Sequence, residues 1–165
     1  MILLANGILG ACSNPAISVK DDALVFRNKY PDHIQSIEVK NKKIHFVWSG
    51  DKTKRPILFV HGSPGSWEGW AHFLLDQDLQ NNFQIIAVDR PGFGESTPGK
   101  SEPSLEEQAT LLIDVLKQNK SGLPAILVGH SYGGPVIAQM AMSYPEKIAG
   151  LVFVASSVSP DLEKI

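Results

Sequence analysis

The residues with the clearest chemical promise are Gly129-His130-Ser131-Tyr132-Gly133-Gly134, a serine between glycines directly after the apolar run Ala125-Ile126-Leu127-Val128. A G-x-S-x-G run carries meaning only between a strand and a helix, and here an apolar strand pattern precedes it and a helical pattern follows. The flanking glycines permit a sharp turn that lifts the serine Oγ away from the sheet. The same turn sets a helix amino terminus, with its free N–H groups, beneath a reacting carbonyl. Pro135 falls in the first helical turn, where a missing N–H costs least. The chemistry predicted is nucleophilic attack by Ser131; the plainer alternative is a glycine-rich turn with an incidental serine.

Two further runs sit at strand ends. His61-Gly62-Ser63-Pro64-Gly65-Ser66 follows Ile57-Leu58-Phe59-Val60. Acyl transfer needs two N–H donors aimed at the developing oxyanion, and losing one costs about 3 kcal/mol. The backbone N–H groups of Ser63 and Tyr132 are the candidates for that oxyanion hole. The alternative makes the loop a β-to-α turn only, and His61 reads as a brace for the loop rather than a base. Asp89-Arg90-Pro91-Gly92-Phe93-Gly94-Glu95-Ser96 follows Ile85-Ile86-Ala87-Val88. It is expected to fix a loop through its turns and an Asp89–Arg90 interaction, with no catalytic step. The Lys-Ser/Thr ending of a phosphate-binding loop is absent.

The elements that must position these runs are legible from pattern. The runs 57–60, 85–88, 125–128 and 151–155 are apolar without alternation, as strands buried on both faces are. Helical spacing covers Trp67 to Leu79. Another helix opens with the capping-box pair Ser104 and Glu107, carries Leu105, Ala109, Leu112, Ile113 and Leu116 on one face, and closes at Ser121-Gly122. A third follows Ser131, with Val136, Ile137, Met140 and Ala141 inward, and ends at Tyr144-Pro145. Ahead of them, 36–40 and 44–48 alternate around a turn at Asn41-Lys42, a hairpin. The fold class is α/β: a mostly parallel sheet led by an antiparallel hairpin, with helices on both faces.

His-Gly-x-Pro-Gly, Asp-Arg-Pro-Gly-Phe-Gly-x-Ser and Gly-His-Ser-x-Gly-Gly, in that order and at these spacings, resemble the α/β-hydrolase fold family. The likeness covers residues from about 34 to 160 and is nearest the branch of esterases, meta-cleavage-product hydrolases and proline iminopeptidases. The resemblance implies an acyl-enzyme on Ser131, formed from an ester or related small-molecule acyl substrate without cofactor or metal, with a histidine as base and an acid to orient it. Haloalkane dehalogenases and epoxide hydrolases of this fold place aspartate at the elbow, so serine at 131 argues against those activities.

The family order is nucleophile, acid, histidine. His33, His45, His61, His72 and His130 all precede Ser131. The base is therefore expected outside this chain, in a missing carboxy-terminal part of the fold that also brings a lid and two more strands; the chain reads as truncated after about six strands. Asp161 is a candidate acid, although Pro160-Asp161-Leu162-Glu163 favours a helix cap. Besides an incomplete serine hydrolase, the residues allow an inert remnant or binding module of the same fold, or a site completed by a partner chain.

Of the 165 residues 43% are hydrophobic and 19% charged, with net charge −2, which fits a globular chain and offers no basic stripe for nucleic acid. The one cysteine, Cys12, excludes an internal disulfide. Met1 to Ala11 are apolar or small apart from Asn6, too few for the roughly 20 residues of a membrane span. They have the length and small-residue ending of a signal-peptide core, and Leu9-Gly10-Ala11-Cys12 resembles a bacterial lipobox. That implies a lipid on Cys12, a membrane tether and a place in the cell envelope. No Lys or Arg precedes the run, so the alternatives are an upstream start, or a buried segment with Cys12 as a small core residue in a cytoplasmic protein. The organisation expected is a signal segment over 1–12, a tether over 13–33 and the hydrolase-like domain over 34–165.

Overall fold

The central apolar runs 57–60 and 85–88 form strands that are covered on both sides. The structure, a computed structural model, describes residues 2–4, 19–96, 98, 99 and 101–156. β1 spans Ile2–Leu4, β2 Ile34–Val39, β3 Lys42–Gly50, β4 Pro56–Val60, β5 Gln84–Val88, β6 Ala125–His130 and β7 Ile148–Val154. β4 and β5 are buried along their whole length. Successive side chains point to opposite faces. Leu58, Val60, Ile86 and Val88 enter one core, and Ile57, Phe59, Ile85 and Ala87 the other.

The seven strands run in the order β1-β7-β6-β4-β5-β3-β2. The four apolar runs pair in parallel, and the β2–β3 hairpin joins β5 antiparallel, as the patterns predict. The hairpin turns one residue earlier than expected. Lys40 (φ 49°) and Asn41 (φ 63°) both take the left-handed conformation that a tight two-residue turn requires. The apolar start contributes β1, parallel to β7 through Ile2↔Leu151, Leu3↔Val152 and Leu4↔Phe153. Cys12 and Asp161 lie outside the described residues.

α4 (Leu105–Ile113) and α5 (Gly133–Ser143) cover one face of the sheet. Ser104 Oγ accepts from the Glu107 N–H at 3.1 Å, half of a capping box; the Glu107 carboxylate goes to Lys40 instead of back to the cap. The other face carries α1 (Val19–Lys29), α2 (Ala71–Leu75) and α3 (Gln77–Asn82). The helix expected from Trp67 to Leu79 is broken. A 3₁₀ turn over Trp67–Trp70 leads into α2, then Asp76 turns extended and caps α3, its Oδ1 accepting from the Leu79 N–H at 2.8 Å. A capping aspartate overrides the apolar spacing that runs through it.

Within 13–33, which the sequence reads as a tether, α1 is packed against the domain. Ala23 and Phe26 are buried, and the Phe26 ring lies 5.6 Å from that of Trp67. So little of α1 faces inward that its pattern shows no clear period.

The topology chooses the place for a site. From β4 the chain crosses to β5 over the face of α2 and α3; from neighbouring β6 it crosses to β7, the opposite way, beneath α5. The loops after β4 and β6 therefore part company, leaving a crevice at the carboxyl ends of the two strands. Both glycine-rich runs lie there.

Candidate active site

The turn after β6 requires its glycines. A Cβ on Gly133 would stand 2.2 Å from the Val60 carbonyl oxygen, so only glycine lets α5 begin against the end of β4. A Cβ on Gly62 would stand 2.9 Å from Ser131 Cβ, so the bare Gly62 backbone packs directly on the serine. Ser131 sits at φ 49°, a left-handed conformation that costs a non-glycine residue on the order of 1–3 kcal/mol. Two hydrogen bonds hold it there. Its N–H donates to the Val154 carbonyl at 3.0 Å, and its carbonyl accepts from the Gly134 N–H at 2.9 Å.

Ser63 and Tyr132 come to the same crevice, on loops joined through the Gly62–Ser131 contact. Among the described residues neither amide finds an acceptor. Cavities open on either side of the turn. One of about 230 Å³ is lined by Ser63, Arg90, Phe93, Glu102 and Tyr132, the other, of about 320 Å³, by His61, Gly65, Trp70, His130 and Val154. Another hollow, around Pro56, Leu123 and Ala125, lies at the far end of the sheet and carries none of this chemistry.

His61 braces its loop. Its Nε2 accepts from the Arg90 N–H at 3.0 Å, which leaves the proton on Nδ1 to donate to the Gly62 carbonyl at 2.7 Å. Burial pulls its pKa down to about 4. It is neutral, with both nitrogens occupied, at neutral pH. His130 is exposed beside the serine, its ring edge-on to Trp70 at 6.4 Å.

The interaction expected between Asp89 and Arg90 does not form; the two side chains serve different elements. Asp89 Oδ1 accepts from the Trp67 N–H at 2.7 Å, and Oδ2 accepts from the Glu95 N–H at 2.8 Å and from His45 Nδ1 at 2.9 Å. Arg90 turns instead into the crevice. Its Nη2 donates to the Gly62 carbonyl at 2.8 Å and its Nη1 to Gln108 Oε1 at 3.2 Å. Nothing in the sequence signals contacts that join positions 90 and 62. Among the described residues no three His, Cys, Asp or Glu side chains gather as metal ligands would. No described helix is long and apolar enough to cross a membrane.

Comparison with known proteins agrees with this geometry. The family model described as alpha/beta hydrolase fold matches residues 55–165. Bifunctional epoxide hydrolase 2 of Sus scrofa is 33% identical over 121 residues, covering 72% of this chain and 21% of that protein. Epoxide hydrolase 4 of Mus musculus is 28% identical over 117 residues, covering 68% and 31%. The crystal structure of Cfl2 from Burkholderia cenocepacia superposes with a TM-score of 0.67 at 26% identity, over 76% of this chain and 42% of that one. The chain thus spans 21% to 31% of the length of these curated relatives.

Proposed function

Because the chain belongs to the α/β-hydrolase fold family, a family of hydrolases, we propose that it provides the nucleophile and the oxyanion hole of a serine hydrolase acting on an ester or related acyl bond. The observation that carries this reading is the strained Ser131 turn, beside the Ser63 and Tyr132 amides, which have no acceptor among the described residues. Strain of this kind persists only where surrounding structure enforces it, and free amides at a helix start suit an oxyanion. As a general base takes its proton, Ser131 Oγ attacks the acyl carbon, and the Ser63 and Tyr132 N–H groups receive the oxyanion. Collapse breaks the acyl–oxygen bond, the base returns the proton to the departing alcohol, and water then hydrolyses the acyl-enzyme to the acid and free serine. The general base is to be supplied by a longer form of the protein, and Asp161 is the candidate acid in this chain.

Relatives named epoxide hydrolases raise a second reading, and the residue at the elbow favours the first. Those branches use an aspartate carboxylate there, whereas a serine oxygen needs a base to become nucleophilic and suits acyl transfer. In the protein carried to full length, a fluorophosphonate probe is expected to label Ser131 and to lose that label in Ser131→Ala. Labelling that survives the substitution would end the idea. A lipid on Cys12, tethering the protein to the cell envelope, is a separate proposal resting on Leu9-Gly10-Ala11-Cys12. It predicts palmitate-analogue incorporation that disappears in Cys12→Ser when the native start is expressed; equal soluble recovery of both forms would sink it.

A further inference from the structure

The carbonyl of Gly62 takes two donors, the neutral Nδ1–H of His61 at 2.7 Å and the cationic Nη2 of Arg90 at 2.8 Å. That carbonyl shares a trans peptide with the Ser63 N–H, so the two point in opposite directions. Donors on the oxygen therefore fix the direction of the Ser63 N–H and, by polarising the peptide, increase its positive charge. Arg90 also supports the second donor residue: its guanidinium carbon lies 4.8 Å from the centroid of the Tyr132 ring and 4.4 Å from that of Phe93.

The cation itself is left uncompensated. Arg90 is 1% exposed, its Nη1 meets only the neutral Gln108, and its Nε has no partner. Among the described residues no carboxylate pairs with it. A buried charge without a counter-ion is costly, and a loop brace needs no charge. A negative charge that develops nearby during reaction supplies what the resting structure lacks.

Building on the reading of Ser131 as nucleophile, we propose that Arg90 is a positioning residue that charges the oxyanion hole: acting through the Gly62–Ser63 peptide and from beneath Tyr132, it strengthens the Ser63 donor and favours the negative charge forming on the substrate oxygen. It touches no substrate atom. Its effect falls on the transition state and leaves ground-state binding alone.

The test uses the full-length protein, p-nitrophenyl acetate as substrate and an alkylboronic acid as transition-state mimic. Arg90→Met is expected to lower kcat on the order of tenfold, less than loss of a whole donor, with KM little changed and boronate affinity falling in parallel. Arg90→Lys keeps the charge and is expected to restore most of kcat at neutral pH. It then loses activity in an alkaline step that falls at clearly lower pH than that of the arginine enzyme, because burial, which already pulls Arg90 down to about 10, lowers a lysine from a lower starting value. Wild-type kcat and boronate affinity in Arg90→Met would overturn the proposal. If that variant does not fold, an Arg90→Lys pH profile whose alkaline limb coincides with that of the arginine enzyme overturns it instead. Ser131→Ala is run alongside: turnover surviving there sinks the nucleophile reading and this proposal with it. Loss of turnover there, together with unaffected Arg90 variants, sinks the role of Arg90 alone.

Discussion

At the scale of single residues, His61 shows how a motif histidine next to a nucleophile is kept out of proton transfer. Its pKa is lowered from 6.5 to about 4, chiefly by burial, while its hydrogen bonds need the neutral ring. The unfolded chain therefore binds more protons than the folded one between these values, and stability rises with pH across that window. The contribution is complete above about pH 6.5 and is lost as pH falls toward 4, an effect on the order of 3 kcal/mol. Urea denaturation at pH 7.5 and pH 4.5 should show this loss in the wild type and a smaller one in His61→Asn, which cannot titrate. Equal losses in both would place the acid sensitivity elsewhere. That Ser131 stands in a sharp turn after β6 and Ser63 in a loop after β4 was legible in the sequence, because glycine spacing after an apolar run is a local signal. The partners of Asp89 and Arg90 were not. Adjacent opposite charges suggest a pair, yet neighbours at a strand end point apart, and which distant group each meets depends on how the loops after β4 and β5 pack.

At the scale of elements, the β-strands were read well and the helices on one face poorly, for the same reason. A strand buried on both sides is apolar throughout, as in β4 and β5, and cannot be mistaken for surface. A helix on the outside of the sheet needs only a narrow inward stripe, and α1 supplies little more than Ala23 and Phe26. Phe26 lies against Tyr30 and Trp67, and the next residue, Arg27, lies between Glu68 at 3.2 Å and Glu95 at 2.8 Å. Those pairs are partly exposed and contribute little; the ring carries the attachment. Phe26→Ala should therefore cost about 3–5 kcal/mol in urea denaturation, the range for a buried aromatic, whereas Leu24→Ala on the exposed side should stay within about 0.5 kcal/mol. A Phe26→Ala cost no larger than that of Leu24→Ala would mean that α1 is an appendage, as a tether reading requires.

At the scale of the whole molecule, the sheet is unevenly finished. β4 and β5 are covered on both faces, but every residue from Leu151 to Val154 in β7 is only partly buried, and among the described residues its edge meets three residues of β1. The histidines are equally unready for catalysis. His45 is tied to Asp89, His61 is neutral with both nitrogens in use, and His33 is stacked on Trp48 at 3.7 Å with its Nδ1 at the Trp48 carbonyl. His72 lies on α2 beside Phe73, and His130 has no hydrogen bond to a carboxylate among the described residues. A serine without a base keeps only the residual catalysis of its oxyanion hole and binding surface. Two outcomes follow for the 165-residue chain expressed alone. Its hydrolysis of p-nitrophenyl acetate should be close to that of its own Ser131→Ala form. Its half-covered β7 should bind a hydrophobic dye and promote association in sedimentation. A chain carried on to the length of its relatives should bind less dye and exceed both rates by orders of magnitude. If instead the 165 residues alone matched the longer enzyme and stood well above Ser131→Ala, a base would have to be found among His61 and His130. The tautomer assigned to His61 by its two hydrogen bonds would then be the first thing to give way.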